Sequence, residues 1–572
     1  MKRRELILRI RFLTAGVIFI AVLIGIRLYN VQIHNASAYQ DKAERQYVHT
    51  ARNLYSRGQI FFTTKDGEML SAASIQSGYV LAVNPQHVTD VDAFCSSLQK
   101  YLKDSADKCS TRASLPERSY VELVPDLTVE EAEEIELLDL DGALLYKNQW
   151  RYYPGGTVAA RSIGFIGYDD TGTELHGKFG LERYYDETLY EKDEALSVNF
   201  FAELFSNLGD TLYDREEILS GDVVTTLEPA VSRVLDTVLE ETNQKYDSKT
   251  TGAIVMDPHT GEIIAMNVVP GLDLNDRAEA TIEQFQNPLV ENVYEMGSII
   301  KPLTVAAGLD AGVISPGTTY YDPGCIELNT YTICNYDLRG RGTVPMQEIL
   351  NQSLNTGVAY IANLMGKDRF RDYFLGYKLG TETGIDLPNE AYGLVNNLNS
   401  PREVEYATAS FGQGIALTPI ATVRALATLA NGGKLVTPHL VNRIEYKDGS
   451  VKEIRYPEGE QVLKPETSET ISRMLKTVVD DALRGGNEAR PNHTIGAKTG
   501  TAQIPDPVNG GYYDDKYLHS FFGYFPVYDP KFIIFMYTVE PKGVRYASET
   551  LTDPFLQLTD FLINYYSIPP DR

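Results

Sequence analysis

Apolar and polar positions fall into three regimes along the 572 residues. Near the N-terminus one unbroken apolar run, residues 12–26, follows Lys2, Arg3, Arg4, Arg9 and Arg11. Up to about residue 220, short alternating stretches are cut by turn residues, which is the pattern of strands and loops with some helix. Beyond that point, helical periodicities and longer apolar runs take over.

In the middle regime, residues 57–62 and 79–83 read as strands around a Lys65-Asp66-Gly67 turn, and Tyr153-Pro154-Gly155-Gly156 as a turn. Residues 127–138 read as an acidic helix that starts on a Thr128 cap with Glu131 three residues on. In the last regime, residues 228–241 carry Val231, Val234, Leu235 and Val238 on one helical side. A hairpin over 252–266 follows, turning at Pro258-His259-Thr260-Gly261. Residues 346–364 are expected to form one helix and 419–430 another, the latter ended by Asn431-Gly432-Gly433. Residues 494–502, 520–525 and 532–539 read as strands, the last two antiparallel across a short connection, and 552–565 as a helix covering them. The expected fold class is α+β: an antiparallel sheet packed by helices, preceded by a strand-rich pedestal. The domain division is 1–50, 51–220 and 221–572.

The first apolar run is shorter than the ~20 residues of a spanning helix. Arg11 and Arg27 can snorkel and lengthen it. Ala36-Ser37-Ala38 resembles a cleavage site but lies far downstream of the run. An uncleaved single transmembrane anchor is expected, with the basic N-terminus in the cytoplasm and the rest outside. The net charge of −26 argues against a nucleic-acid partner, which needs clustered cations. His and Cys show no metal-ligand spacing. In an oxidising compartment the four cysteines can close two local disulfides, Cys95–Cys109 and Cys325–Cys334, one of three connectivities; the alternative is four buried thiols.

Candidate chemistry centres on Tyr294-Glu295-Met296-Gly297-Ser298-Ile299-Ile300-Lys301-Pro302. Pro302 is tolerated only near a first helical turn, so a helix starts close to Ser298. Ser298 and Lys301 then share one helical face, a hydroxyl beside a candidate base. Ser-x-x-Lys alone is weak evidence: Ser97-Leu98-Gln99-Lys100 and Ser105-Ala106-Asp107-Lys108 also match. Neither has a glycine turn before it and an apolar helix after it. Ser353-Leu354-Asn355 and Lys498-Thr499-Gly500 complete an ordered set of three motifs.

With these motifs the chain resembles class B penicillin-binding proteins, membrane-anchored serine D,D-transpeptidases. Further segments extend the resemblance over nearly everything after the anchor: Arg57-Gly58 with Asp66-Gly67, Gly180-Leu181-Glu182, residues 383–388, Gly412-Gln413-Gly414 and Gly523-Tyr524-Phe525-Pro526. Met296 stands where proline is usual, and Leu354 where aspartate occurs in related enzymes. The resemblance implies a penicillin-binding, serine β-lactamase-like transpeptidase domain without metal or organic cofactor. It implies Ser298 as nucleophile, Lys301 as base with a pKa lowered by burial and by Lys498, and Ser353 as proton relay. Asn355 would hold Lys301 and the peptide amide, Lys498 and Thr499 a substrate carboxylate. Gly500 would let a substrate strand lie close, and the N–H groups of Ser298 and Thr501 would form an oxyanion hole. The implied substrates are peptidoglycan stem peptides ending in D-Ala-D-Ala, with β-lactams acylating the same serine. The implied partners are the membrane and a polytopic glycan polymerase. Tyr294-Glu295 points to the septal-division type. A hydrolytic β-lactamase or carboxypeptidase and a catalytically silent scaffold are the competing readings.

Overall fold

A computed structural model describes residues 57–102, 106–115, 117–169, 174–190, 220–277 and 280–572. The expected anchor falls outside these residues; among the described residues no helix is long and apolar enough to cross a membrane. Contacts divide the chain into two compact units.

The smaller unit contains Ile75–Arg151. The later part of strand Met69–Val83 pairs there with Val121–Leu127 and Ala143–Tyr152. Helices Val91–Leu98 and Ala106–Ala113 are joined by the disulfide Cys95–Cys109. Helix Val129–Glu136 begins with the expected reciprocal cap, Thr128 and Glu131 each accepting from the other's backbone N–H. Leu81, Val83, Phe94, Leu98, Leu123 and Ile135 fill the core.

Among the described residues, the larger unit takes Arg57–Ser74 and those of 152–190 and 220–572. Arg57, buried, bonds Glu182 at 2.6 Å and Asp186 at 2.7 Å, so two of the short sequence motifs are the halves of one ion-pair cluster. Helix α1 (Pro229–Lys245) leads into strands β1 (Thr250–Met256) and β2 (Ile263–Val269). A single 3₁₀ turn, Gly297–Ile300, opens helix α2 (Lys301–Asp310), with Pro302 in its first turn as expected. Helices α3 (Met346–Asn351) and α4 (Asn355–Met365) precede β3 (Gly496–Pro505), β4 (Tyr512–Phe525) and β5 (Phe532–Val539), and α5 (Thr552–Tyr565) ends the unit. The sheet is antiparallel throughout, in the order β3-β4-β5-β1-β2.

Every residue of β5 is buried because both faces of the sheet are covered. Ile534 and Met536 pack with Leu235 and Val238 of α1 and Phe555 of α5, while Ile533 and Phe535 join the core that holds Ile300 and Leu303. That is why this strand reads as a continuous apolar run rather than an alternation.

The expected single helix over 346–364 is two helices. Ser353 has φ 54°, in the left-handed region, and Leu354 is extended. A left-handed non-glycine residue costs ~1–2 kcal/mol. Two things offset that cost: Leu354 enters the core fully buried, and the Ser353 carbonyl, released from the helix ladder, accepts a buried amine.

The start of α4 is fixed by a buried polar cluster. The Asp322 carboxylate accepts from Thr356 Oγ1 (2.7 Å), Asn335 Nδ2 (3.0 Å), Gly324 N (3.0 Å) and Arg341 N (3.0 Å). These bonds tie the hairpin Cys325–Leu328/Tyr331–Cys334 to α4. Asp322→Ala leaves several buried donors without an acceptor, so denaturant unfolding is expected to show a loss of about 2–4 kcal/mol.

Candidate active site

The three motifs meet in one cleft of about 710 Å³, lined by Ser298, Ser353, Asn355, Lys498, Thr499 and Thr501 among others. Each arrives from a different element. Ser298 sits in the turn before α2, Ser353 in the break between α3 and α4, Asn355 at the first turn of α4, and Lys498 to Thr501 on edge strand β3.

Lys301 is fully buried and Lys498 is 3 % exposed. Both amines converge on Ser353. Lys301 Nζ donates to the Ser353 carbonyl at 2.5 Å and to Ser353 Oγ at 3.1 Å. Lys498 Nζ donates to the same Oγ at 3.2 Å and to the Thr499 carbonyl at 3.0 Å. Burial drives the Lys301 pKa well below its ordinary value, and the neighbouring Lys498 cation lowers it further. Burial brings Lys498 down to about 7. Lys301 is thus shifted toward the free amine, and Lys498 is near its midpoint at pH 7.

Asn355 is not bonded to Lys301 as expected; its Nδ2 donates to the Cys334 carbonyl at 2.8 Å. Cys334 is linked to Cys325 by the second disulfide, across paired residues of the hairpin that forms one wall of the cleft. Both local pairings of cysteines are present.

Gly500 packs against the turn that carries Ser298. A Cβ there would lie 2.3 Å from Ser520 Oγ and 2.8 Å from the Met296 carbonyl, so its bareness admits the nucleophile turn against β3. Ser520 holds that turn, its hydroxyl donating to the Met296 carbonyl at 2.7 Å. Gly297 has φ 64°, and its N–H donates to the Gly412 carbonyl at 3.1 Å; a Cβ on Gly412 would meet the Gly297 carbonyl at 2.3 Å. Glu295 adds a third tie. Its carboxylate accepts from Tyr512 Oη at 2.9 Å and from Gly414 N at 3.1 Å, and burial pushes its pKa up to about 7.

Sequence reasoning missed Asp322, Asn335, Thr356 and Ser520. Ser520 carried a faint signal, a lone hydroxyl beside Phe521 and Phe522 on a strand reading as buried. Asp322-Pro323-Gly324 has the composition of an ordinary turn, and nothing local links it to α4.

The sequence matches the family described as penicillin binding protein transpeptidase domain over residues 251–558, and the penicillin-binding protein dimerisation domain over 55–200. The chain belongs to the penicillin-binding protein transpeptidase family. Among relatives of this penicillin-binding protein, stage V sporulation protein D of Bacillus subtilis is 29% identical, over 88% of this chain and 79% of its own. The probable peptidoglycan D,D-transpeptidase PenA of Neisseria gonorrhoeae is 26% identical, over 99% and 94%. Penicillin-binding protein 3 of Mycobacterium tuberculosis, solved with aztreonam, shares the fold with a TM-score of 0.68 at 22% identity, over 91% of this chain and 98% of that one. The family match and the fold thus agree with the resemblance read from the sequence.

The packing at Gly500 gives a direct test. Gly500→Ala should lower stability by about 1–3 kcal/mol in thermal or denaturant unfolding through overpacking. Ser520→Ala on top of it should restore part of the loss, because it removes the nearer of the two clashing atoms.

Proposed function

We propose that this penicillin-binding protein is a peptidoglycan D,D-transpeptidase with Ser298 as nucleophile. The observation that carries the reading is the convergence of two buried amines on one hydroxyl, in the cleft that Ser298 lines.

In the proposed reaction the Ser298 hydroxyl attacks the carbonyl between the two terminal D-alanines of a stem peptide. Neutral Lys301 takes the hydroxyl proton, and the N–H groups of Ser298 and Thr501 receive the developing oxyanion. Close packing of Gly297 on the Thr501 carbonyl supports that pairing of segments. Ser353 Oγ, within 3.1 Å of Lys301 Nζ, relays the proton to the departing amine, and D-alanine leaves. The amine of a neighbouring stem peptide then attacks the acyl-enzyme. Its proton returns through Lys301 to Ser298, and a crosslink remains. Lys498 and Thr499 hold the terminal carboxylate, and β-lactams, carrying a similarly placed carboxylate, acylate the same serine.

The charged side chains lining the cleft are cations among the described residues, which favours transfer to an amine over a carboxylate-activated water. Residues 12–26 support a single membrane anchor with the catalytic part outside the cytoplasm, next to a polytopic glycan polymerase. Tyr294-Glu295 supports a role in septal division.

Fluorescent penicillin should label the protein, and Ser298→Ala should abolish labelling; label retained by that variant refutes the nucleophile. Incubation with a D-Ala-D-Ala donor and an added amine separates crosslinked product from hydrolysed donor. The acylation rate should fall on acidification, because the proton added to Lys301 removes the base. It should also fall on the alkaline side as Lys498, at about 7 in the free protein, loses the charge that holds the carboxylate. Lys498→Arg should shift only the alkaline limb upward, since arginine stays protonated.

A further inference from the structure

The chain carries a net charge of −26, yet every charged side chain lining the cleft among the described residues is a cation: Lys498, Arg484 and Arg545. Two of these have partners. Lys498 is bonded to Ser353, and Arg484 pairs with Asp553 and Glu488. Arg545 has no ion pair among the described residues; its guanidinium lies over the Tyr546 ring, 5.6 Å from the centroid. The nearest acid in sequence, Glu549, accepts from the Tyr546 N–H instead.

The backbone at Arg545 is pinned twice to the catalytic strands. The Arg545 carbonyl accepts from Nε2 of buried His519 at 3.0 Å, and His519 is the register partner of Thr501. Two residues on, the Ala547 N–H donates to Thr501 Oγ1 at 3.1 Å. Tyr546 meets Tyr336 of the opposite wall edge to face, with centroids 5.8 Å apart. The cation is thus held at the Thr501 end of the cleft. A donor peptide whose terminal carboxylate rests on Lys498 and Thr499, and which runs antiparallel to β3, passes its upstream residues by Thr501 and so by Arg545.

We infer that Arg545 is a specificity-determining residue that pairs with a second carboxylate of the donor peptide, carried upstream of the scissile D-Ala-D-Ala bond. The inference rests on the transpeptidase reading. Arg suits the role: its planar fork binds a carboxylate through two parallel N–H bonds, and stacking on Tyr546 holds the fork in place. Two sources of that carboxylate are chemically equivalent: the residue directly upstream of the D-Ala-D-Ala pair, or the one before it.

The test uses the full-length protein and D-alanine release from matched donors, each with a free carboxylate or a carboxamide at one of these two positions. Wild type should prefer the free carboxylate at one position, which identifies the source. Arg545→Gln should erase that preference, with a roughly 5- to 20-fold loss of kcat/KM for the acid donor carried by KM rather than kcat. Lys542→Gln removes the same charge from outside the cleft and should leave the preference intact. Thermal unfolding of Arg545→Gln should match wild type, separating a binding defect from a folding one. An undiminished preference in Arg545→Gln, or equal use of acid and amide donors by wild type at both positions, overturns the assignment of Arg545 alone. Failure of wild type to release D-alanine from any donor overturns the transpeptidase reading with it.

Discussion

Two lysine amines, one fully buried and the other nearly so, share one serine hydroxyl. An ammonium that loses its hydration is costly, and a second one alongside makes the cost larger. The constraint is eased by a lowered Lys301 pKa, which favours the free amine, and by oxygen acceptors for both nitrogens. Much of the local architecture follows. The helix expected over 346–364 breaks at Ser353 because a carbonyl engaged in a helix ladder is less available to a buried amine. The polar cluster around Asp322 then holds the new helix start where the break needs it.

A reactive serine must also be held rigidly against the strand that supplies the rest of the site. Steric fit does this rather than a strong bond. Gly500 and Gly412 lie where a Cβ would meet a neighbouring atom at 2.3 Å, Gly297 takes the left-handed conformation the turn needs, and Ser520 and Glu295 fasten the turn from two sides. Small residues on one element thereby position a side chain on another, a close-packed interior transmitting geometry with little slack.

The fold and the candidate catalytic set were legible because their signals are local. Ser298-x-x-Lys301 before an apolar helix, Lys498-Thr499-Gly500 at the start of a strand, and the uninterrupted run of β5 are each read within a few residues. The break at Ser353 was not legible, because residues 346–364 have adequate helical periodicity and the force that opens them comes from Lys301, remote in sequence. Asp322 and Asn335 were missed for the same reason: a turn-like Asp-Pro-Gly says nothing about which helix its carboxylate will meet. The packing of Gly500 against Ser520 and the Met296 carbonyl was not legible either, since a sequence does not say which element comes close to a strand glycine.

The central claim is that the Lys301 amine is uncharged in the resting protein. It is tested most directly by an NMR pH titration of the protein with ¹³C-labelled lysine side chains, the Lys301 resonance being assigned by its loss in Lys301→Gln. The account predicts a Lys301 midpoint well below that of exposed lysines, rising when Lys498 is replaced by Gln. A midpoint near the unperturbed ~10.4, unmoved by that replacement, would contradict it.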